Sequence, residues 1–473
     1  FFSIILALFI WDFIKLPFSN PNEVFGQYSQ NNHNKYNDVL RILIFIWLPS
    51  ITFLILYIFF NNKNCDKINN IFLINKEKII TNKNQIKNIL FFLLILTSII
   101  RFISHDLTMG KIDIFHEGHH LSGAFQNLSK KTFWIDNYLQ NSLFHDILIA
   151  KFSWIISGNI SVGSWRIFVQ FLNLIVEIFL IILCFNISKK FEFNKNKEIL
   201  FFILIAIFTL YINRNFTEYW WPTRFRDIPL ILLIIFSLNL YIDNKKNLVK
   251  CFLIGSLSVL SILWSLDKGI YLNISLFLIL FILLFNKKYL NIFFMLFGIL
   301  LGWIIFFKLI GTIEFKFFLS NTISIINDRD LSAGLIFPKP FEFELNHSSR
   351  ATKNLLIILL NNLAVILIIF KKEIPIPKNT KLFILLLNLL AFMNYYGAIG
   401  RSDSYHMKQG IFFQFLLSSI LICYWIIKIK FSIFLRKNLI ILFSIILIFY
   451  QINFEKKIIF KSLNFKKRFT EYT

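Results

Sequence analysis

Residues 165–187 read WRIFVQFLNLIVEIFLIILCFNI, an apolar run broken near its centre by one ionisable side chain, Glu177. At about 1.5 Å of rise per residue, a helix of this length crosses a hydrocarbon core of about 30 Å. A helix is also the conformation that satisfies its own backbone hydrogen bonds where no water can. Similar runs lie near 1–18, 40–60, 88–104, 199–213, 227–242, 250–265, 269–286, 290–311, 352–370, 382–399, 410–429 and 437–452. Composition agrees: 56% hydrophobic residues, 16% charged residues and a mean hydropathy of +0.65 leave too little polar surface to coat a soluble globule. The expected fold is an all-α polytopic transmembrane helical bundle of about 11–14 spans, its extracytoplasmic loops carrying short interfacial helices.

The run at 147–156 is too short to cross and carries Lys151 and Trp154, so it is read as a helix lying on the membrane surface. That choice sets the parity of the loops. One set is short and rich in lysine: 63–87, 189–198, 243–250, 287–288, 371–381 and 428–437. These are expected in the cytoplasm by the positive-inside rule, which accounts for the net charge of +24 without a nucleic-acid partner. The opposite set holds the outer loops 105–146, 213–226, 312–351 and 400–409, and the turn at 267–268. The basic tail after Phe454 falls on the outer side under strict alternation, against the rule. The chain is expected to divide into N-terminal spans with a basic loop (1–87), a transmembrane catalytic core (88–430) and a C-terminal span with its tail (431–473). The chain opens on Phe1 inside an apolar run, so truncation at the N-terminus is expected. Cys65, Cys184, Cys251 and Cys423 are far apart and form no CxxC pair, which implies neither a disulfide framework nor a thiolate zinc site.

The polar clusters collect on the outer face. Loop 105–146 holds five of the eight histidines and reads Asp113-Ile-Phe-His116-Glu117-Gly118-His119-His120, then Trp134-Ile-Asp136 and His145-Asp146. A carboxylate at a bilayer surface among histidines and aromatics suits a general base tuned by partial desolvation. A merely solvated loop is the competing interpretation. The stretch from His116 to His120 also matches H-E-x-x-H, which on a helix offers two imidazoles, His116 and His120, to zinc and leaves Glu117 to activate water. Gly118 weakens such a helix, and no third ligand follows in a diagnostic place. Loop 213–226 carries Arg214, Glu218, Trp220-Trp221-Pro222, Arg224 and Arg226, with Asp227 after it: guanidiniums suited to phosphate beside aromatics suited to a sugar or lipid, or else an interfacial belt. Arg401, Asp403 and His406, at i, i+2 and i+5, interrupt an apolar stretch where a span meets the outer surface. In loop 312–351, Asn327-Asp-Arg-Asp330 suggests a turn and Phe337-Pro-Lys-Pro340 an extended stretch.

This layout resembles the GT-C superfamily of membrane glycosyltransferases, in particular bacterial enzymes similar to dolichyl-phosphate-mannose mannosyltransferases. The likeness covers roughly residues 88–430 in layout and short motifs in detail: Asp113 with His116-Glu117-Gly118, Trp134-Ile-Asp136, Arg226-Asp227, and Gly400-Arg401-Ser402-Asp403 with His406. The resemblance implies a polyprenyl-phosphate-linked sugar donor and a glycan, lipid or protein acceptor. An acidic residue of the first outer loop would deprotonate the acceptor hydroxyl, with Asp113 the first candidate, Glu117 the second and His116 beside them. Configuration at the sugar would invert. Arg224, Arg226 or Arg401 would steady the leaving phosphate, with His406 assisting and Asp227, Asp403 and Asp136 completing the binding set. The resemblance fixes no cofactor, since it covers both metal-using and metal-free enzymes, and the histidines leave a divalent metal open. The resemblance implies a bacterial inner membrane, with the site on its periplasmic face and membrane lipid as surroundings. The alternatives are a membrane zinc metalloprotease using the HEGHH motif and a polytopic transporter. Against a transporter, mid-span charges are scarce apart from Glu177, and no inverted repeat is visible.

Overall fold

The structure is a computed structural model of the chain and describes residues 1–61, 85–104, 112, 114, 116–129, 132–215, 224–238, 240, 246–343, 348–371, 374–428 and 438–446. Among these residues the secondary structure is helical, with a single isolated parallel bridge between Leu335 and Arg401. Eight helices are long and apolar enough to cross a membrane: Tyr36–Phe60, Gln85–Ile103, Val162–Ser188, Asn247–Trp264, Leu266–Phe285, Tyr289–Ala333, Ser348–Phe370 and Lys378–Gly400. The chain is therefore an all-α polytopic bundle, with fewer full-length spans among the described residues than the 11–14 expected. The runs at 1–18 and 410–429 form shorter helices, Phe2–Phe13 and Phe412–Lys428. The run at 227–242 yields the ten-residue helix Ile228–Ser237, which covers only about 15 Å. The run at 199–213 lies in Lys195–Asn215, whose first turn carries Lys195, Lys197 and Glu198. Phe59, Phe277, Phe285 and Leu309 are exposed on the spanning helices, as lipid-facing side chains are.

The chain divides into two compact units at other points than the sequence reading chose: residues 1–79 with 323–422, and residues 80–322 with 423–473. In the first unit α1 (Phe2–Phe13), the short α2 (Gln27–Gln30) and α3 (Tyr36–Asn61) precede the later helices of the chain. Its core is built by Trp11, Ile42, Phe45, Phe337, Leu355, Ile358, Tyr395 and Ile399. Asp38 is buried there, accepting from Tyr28 Oη at 3.2 Å and from the Phe337 amide at 3.0 Å, with Arg41 and His33 both 3.3 Å away.

The second unit contains α4 (Gln85–Ser104), α5 (His116–Ser129), α6 (Ile149–Ser157), α7 (Val162–Ser188), α8 (Lys195–Asn215), α9 (Ile228–Ser237), α10 (Lys246–Trp264) and α11 (Leu266–Phe285). The long α12 (Tyr289–Ala333) begins in it. Helix α7, the helix that decides the fold, packs against α4, α6, α8 and α9. Its Glu177 is paired with Arg101 of α4 and accepts from Ser98 Oγ at 2.7 Å. Helices α10 and α12 approach closely through glycine: a Cβ on Gly255 would lie 2.1 Å from the Met295 carbonyl, and one on Gly298 would lie 2.3 Å from that of Phe252.

Two loops of the sequence reading contain more structure than expected. Loop 105–146 contains α5, so the HEGHH stretch is helical despite Gly118. Most of 312–351 is not a loop: α12 runs on to Ala333 and is interrupted at Gly311, whose φ of 78° and ψ of 170° are open to glycine but costly for other residues. Beyond that break Phe318 packs onto Trp134 and Phe306, and Phe315 onto Phe306; Asn327 to Asp330, where a turn was expected, are helical. The stretch from Phe337 to Lys339 is non-helical, as expected.

Candidate functional site

The site is assembled in the second unit from helix ends and the segment between α5 and α7. Glu117, in the first turn of α5, is fully buried. Arg166, in the first turn of α7, donates to it from Nε (to Oε1, 2.5 Å) and Nη2 (to Oε2, 2.7 Å), a two-pronged geometry that fixes both side chains. The Ser161 hydroxyl, accepting from the Ser164 amide at 3.0 Å, caps α7 and sets where Arg166 stands.

One turn beyond Glu117, on the same face, His120 stacks on Trp165 (centroids 5.8 Å apart) and meets His145 edge-on at 4.3 Å. His145 stacks on Phe225 at 5.4 Å. His145 and Asp146 lie in a π-helical turn, Phe144–Leu148, whose wider winding lets both consecutive side chains be buried. Asp146 Oδ1 is 2.9 Å from His145 Nδ1 and 3.8 Å from His120 Nδ1. Its carboxylate also accepts from the Asn141 amide at 2.7 Å, Asn141 Nδ2 at 3.0 Å and the Ser142 amide at 3.3 Å. Ser142 itself sits at φ 143°. Its hydroxyl reaches the Ile262 and Leu263 carbonyls at 2.6 and 2.5 Å, and the Leu266 amide donates to the Asn141 carbonyl at 2.7 Å. The segment is thereby fastened to the junction of α10 and α11.

Burial, reinforced by the neighbouring His120, pushes His145 down to about 3, so its imidazole is neutral at ordinary pH. Burial opposes ionisation of Asp146, but His120 and His145 beside it hold the carboxyl well below the usual carboxylate range.

A second layer of charge adjoins this one. Arg226, in the 3-10 turn Arg224–Asp227, donates from Nε to Ser265 Oγ at 2.9 Å and from Nη2 to Asp267 Oδ1 at 2.6 Å. Burial works against the Arg226 cation, but Asp267, Asp227 and Asp146 hold it charged. Arg224 is buried and donates to Asp227 Oδ2 at 3.0 Å, while Lys268 Nζ lies 3.4 Å from Asp227 Oδ1. Asp136 is half-buried and accepts from Thr132 Oγ1.

Several sequence expectations are thus relocated. Asp113 and the side chain of His116 lie outside the described residues. Glu117, the second candidate base and the water-activating residue of the metalloprotease reading, has both oxygens committed to Arg166. His120 turns toward His145 and Asp146. Arg224 is sealed against Asp227, which leaves Arg226 the more accessible of the two arginines. In the first unit Arg401, Asp403 and His406 do come together. Asp403 caps a short helix, Ser404–Gly410, through Oδ1, and its Oδ2 meets His406 Nδ1 at 2.7 Å and Arg401 Nε at 3.2 Å. Burial opposes ionisation of Asp403, but His406, with Arg401 beyond it, holds its carboxyl well below the usual range.

Arg166, Asn141 and Ser142 were not singled out from sequence, and His145-Asp146 was read only as part of a polar loop. An arginine one residue into an apolar run was the available signal for Arg166. No described protein family, no curated protein and no solved structure matches the chain.

Proposed function

We propose that the chain is a membrane glycosyltransferase that moves a sugar from a polyprenyl-phosphate donor to an acceptor hydroxyl with inversion. The observation that supports this reading best is the concentration of carboxylates, imidazoles and guanidiniums at one set of helix ends in the second unit, where Glu117–Arg166, His145–Asp146, Arg226–Asp267 and Arg224–Asp227–Lys268 adjoin. An enzyme drawing an amphiphilic substrate from one leaflet needs its polar groups there rather than strung through the spans. Glu177, near the middle of its spanning helix, is paired with Arg101, which fits a structural pair better than a relay. By the positive-inside rule the short lysine-rich loops of the sequence lie on the cytoplasmic side, so we read the reaction on the opposite face, and the GT-C resemblance adds a bacterial inner membrane to this proposal.

In this reading Asp113 takes the proton of the acceptor hydroxyl and the oxygen attacks the anomeric carbon. The bond from that carbon to the phosphate oxygen breaks, and its electron pair leaves with polyprenyl phosphate. Arg226, exchanging part of its bonding with Asp267, steadies the phosphate. Glu117 and Arg166 are positioning residues that hold α5, and with it the segment that follows Asp113.

The test is consumption of tritiated polyprenyl-monophosphate hexoses and pentoses by membranes bearing the chain. Release of polyprenyl phosphate that is lost in Asp113→Asn, with the variant still folded and binding donor, is expected. A folded chain that neither binds nor consumes any of these donors would overturn the reading.

A further inference from the structure

The donor atoms of His120, His145 and Asp146 all lie within 4.8 Å of one another, and all three residues are buried. Both imidazoles turn Nδ1 toward the same carboxylate oxygen, His145 at 2.9 Å and His120 at 3.8 Å. Two imidazoles and a carboxylate converging from two helical segments are the donor set of a three-ligand site with one position open. Ligands of one tetrahedral ion, each about 2.0–2.2 Å from it, stand about 3.3–3.6 Å apart, so small adjustments of these side chains suffice. The surroundings also suit an ion. Trp165 and Phe225 wall the two rings, and Asn141 and the Ser142 amide orient the carboxylate as an outer layer of hydrogen bonds does in metal sites.

We propose that His120, His145 and Asp146 form a binding site for a divalent ion of the zinc class. The trio differs from the His116 and His120 pair that the HEGHH motif offers on its own, because His120 is joined by ligands from a later turn of chain. The inference does not depend on glycosyl transfer, since the ion is read without donor or acceptor.

The experiment uses the full chain, purified in detergent through a tag free of histidine, stripped with chelator and titrated with zinc chloride. Bound zinc is counted by mass spectrometry, and the visible spectrum of the cobalt(II)-loaded protein reports the ligand field. One equivalent of zinc is expected, with cobalt bands that change in His120→Ala and Asp146→Asn. Asn141→Ala leaves all three ligands in place and is expected to weaken zinc binding about 10–100-fold. His406→Ala, in the other unit, is expected to leave binding unchanged. A monodisperse chain that takes up no more zinc than His120→Ala, or a cobalt spectrum identical in wild type, His120→Ala and Asp146→Asn, would overturn the proposal. Donor consumption measured on the same preparations separates this result from the transferase reading.

Discussion

Arg166 grips Glu117 with two nitrogens of its guanidinium, joining the first turn of α5 to the first turn of α7 across 49 residues of sequence. Both side chains are buried, so removing one leaves the other charged without its counterpart. Glu117→Gln is expected to destabilise the fold by about 3–5 kcal/mol, and the double variant Glu117→Gln with Arg166→Met by clearly less than the two single changes added together. Thermal unfolding in detergent of the four proteins measures this. Additive losses would show that the pair is not coupled.

The glycines of α10 and α12 make a different kind of prediction. A methyl group on Gly255 or Gly298 meets backbone carbonyls that cannot rotate away, so Gly255→Ala and Gly298→Ala are each expected to cost about 1–3 kcal/mol. A methyl group added at Gly118 would meet nothing within 4 Å, and the position is helical, so Gly118→Ala is expected to be neutral or to stabilise by up to about 1 kcal/mol. Unfolding midpoints of the three variants give the contrast, and equal losses at all three would refute it.

Acid should act on Asp403. Its carboxyl is held below the ordinary value in the folded chain, so the stability it contributes is complete above the unfolded carboxylate pKa of about 3.9 and is lost as pH falls through the folded value. Asn also caps helices, so Asp403→Asn removes the charge while keeping the cap. The difference in unfolding midpoint between wild type and Asp403→Asn should be largest near about pH 6 and shrink toward about pH 3. A difference constant over that range would mean that the contacts of the carboxylate with His406 and Arg401 contribute nothing.

Glu177 separates the transferase from a transporter. With Arg101 and Ser98 as its partners, Glu177→Gln is expected to lower stability while leaving donor consumption by the folded fraction within about two-fold. Ion-coupled uptake into vesicles that disappears in Glu177→Gln would favour a transporter instead.

The run at 165–187 disclosed a spanning helix because apolar length alone decides that question in a membrane. The same periodicity carries no information about partners, so Arg166 was visible only as a charge at the edge of the run, its carboxylate far away in sequence. Gly311 and the charged residues Lys316, Asp328, Arg329 and Asp330 made the second half of α12 look like a loop. Near Phe315 and Phe318 the helix is supported by contacts with Trp134 and Phe306, a tertiary gain that local sequence does not display. Arg401, Asp403 and His406 were legible as a group because they are neighbours in the chain. His120, His145 and Asp146 were legible only in pieces, because the π-helical turn that buries two consecutive polar residues has no simple sequence signature.

The Ser142 hydroxyl closes on the carbonyls of Ile262 and Leu263, about 120 residues further along the chain. A growing polypeptide is made from its N-terminus, so the first histidines of the site reach the membrane well before the helix end that fastens their loop. Until α10 and its turn have been inserted, Asn141, Ser142 and Asp146 lack this anchorage. The polar centre is therefore expected to mature late in biogenesis, and nascent chains arrested before residue 262 should carry its histidines in an unfastened segment open to protease.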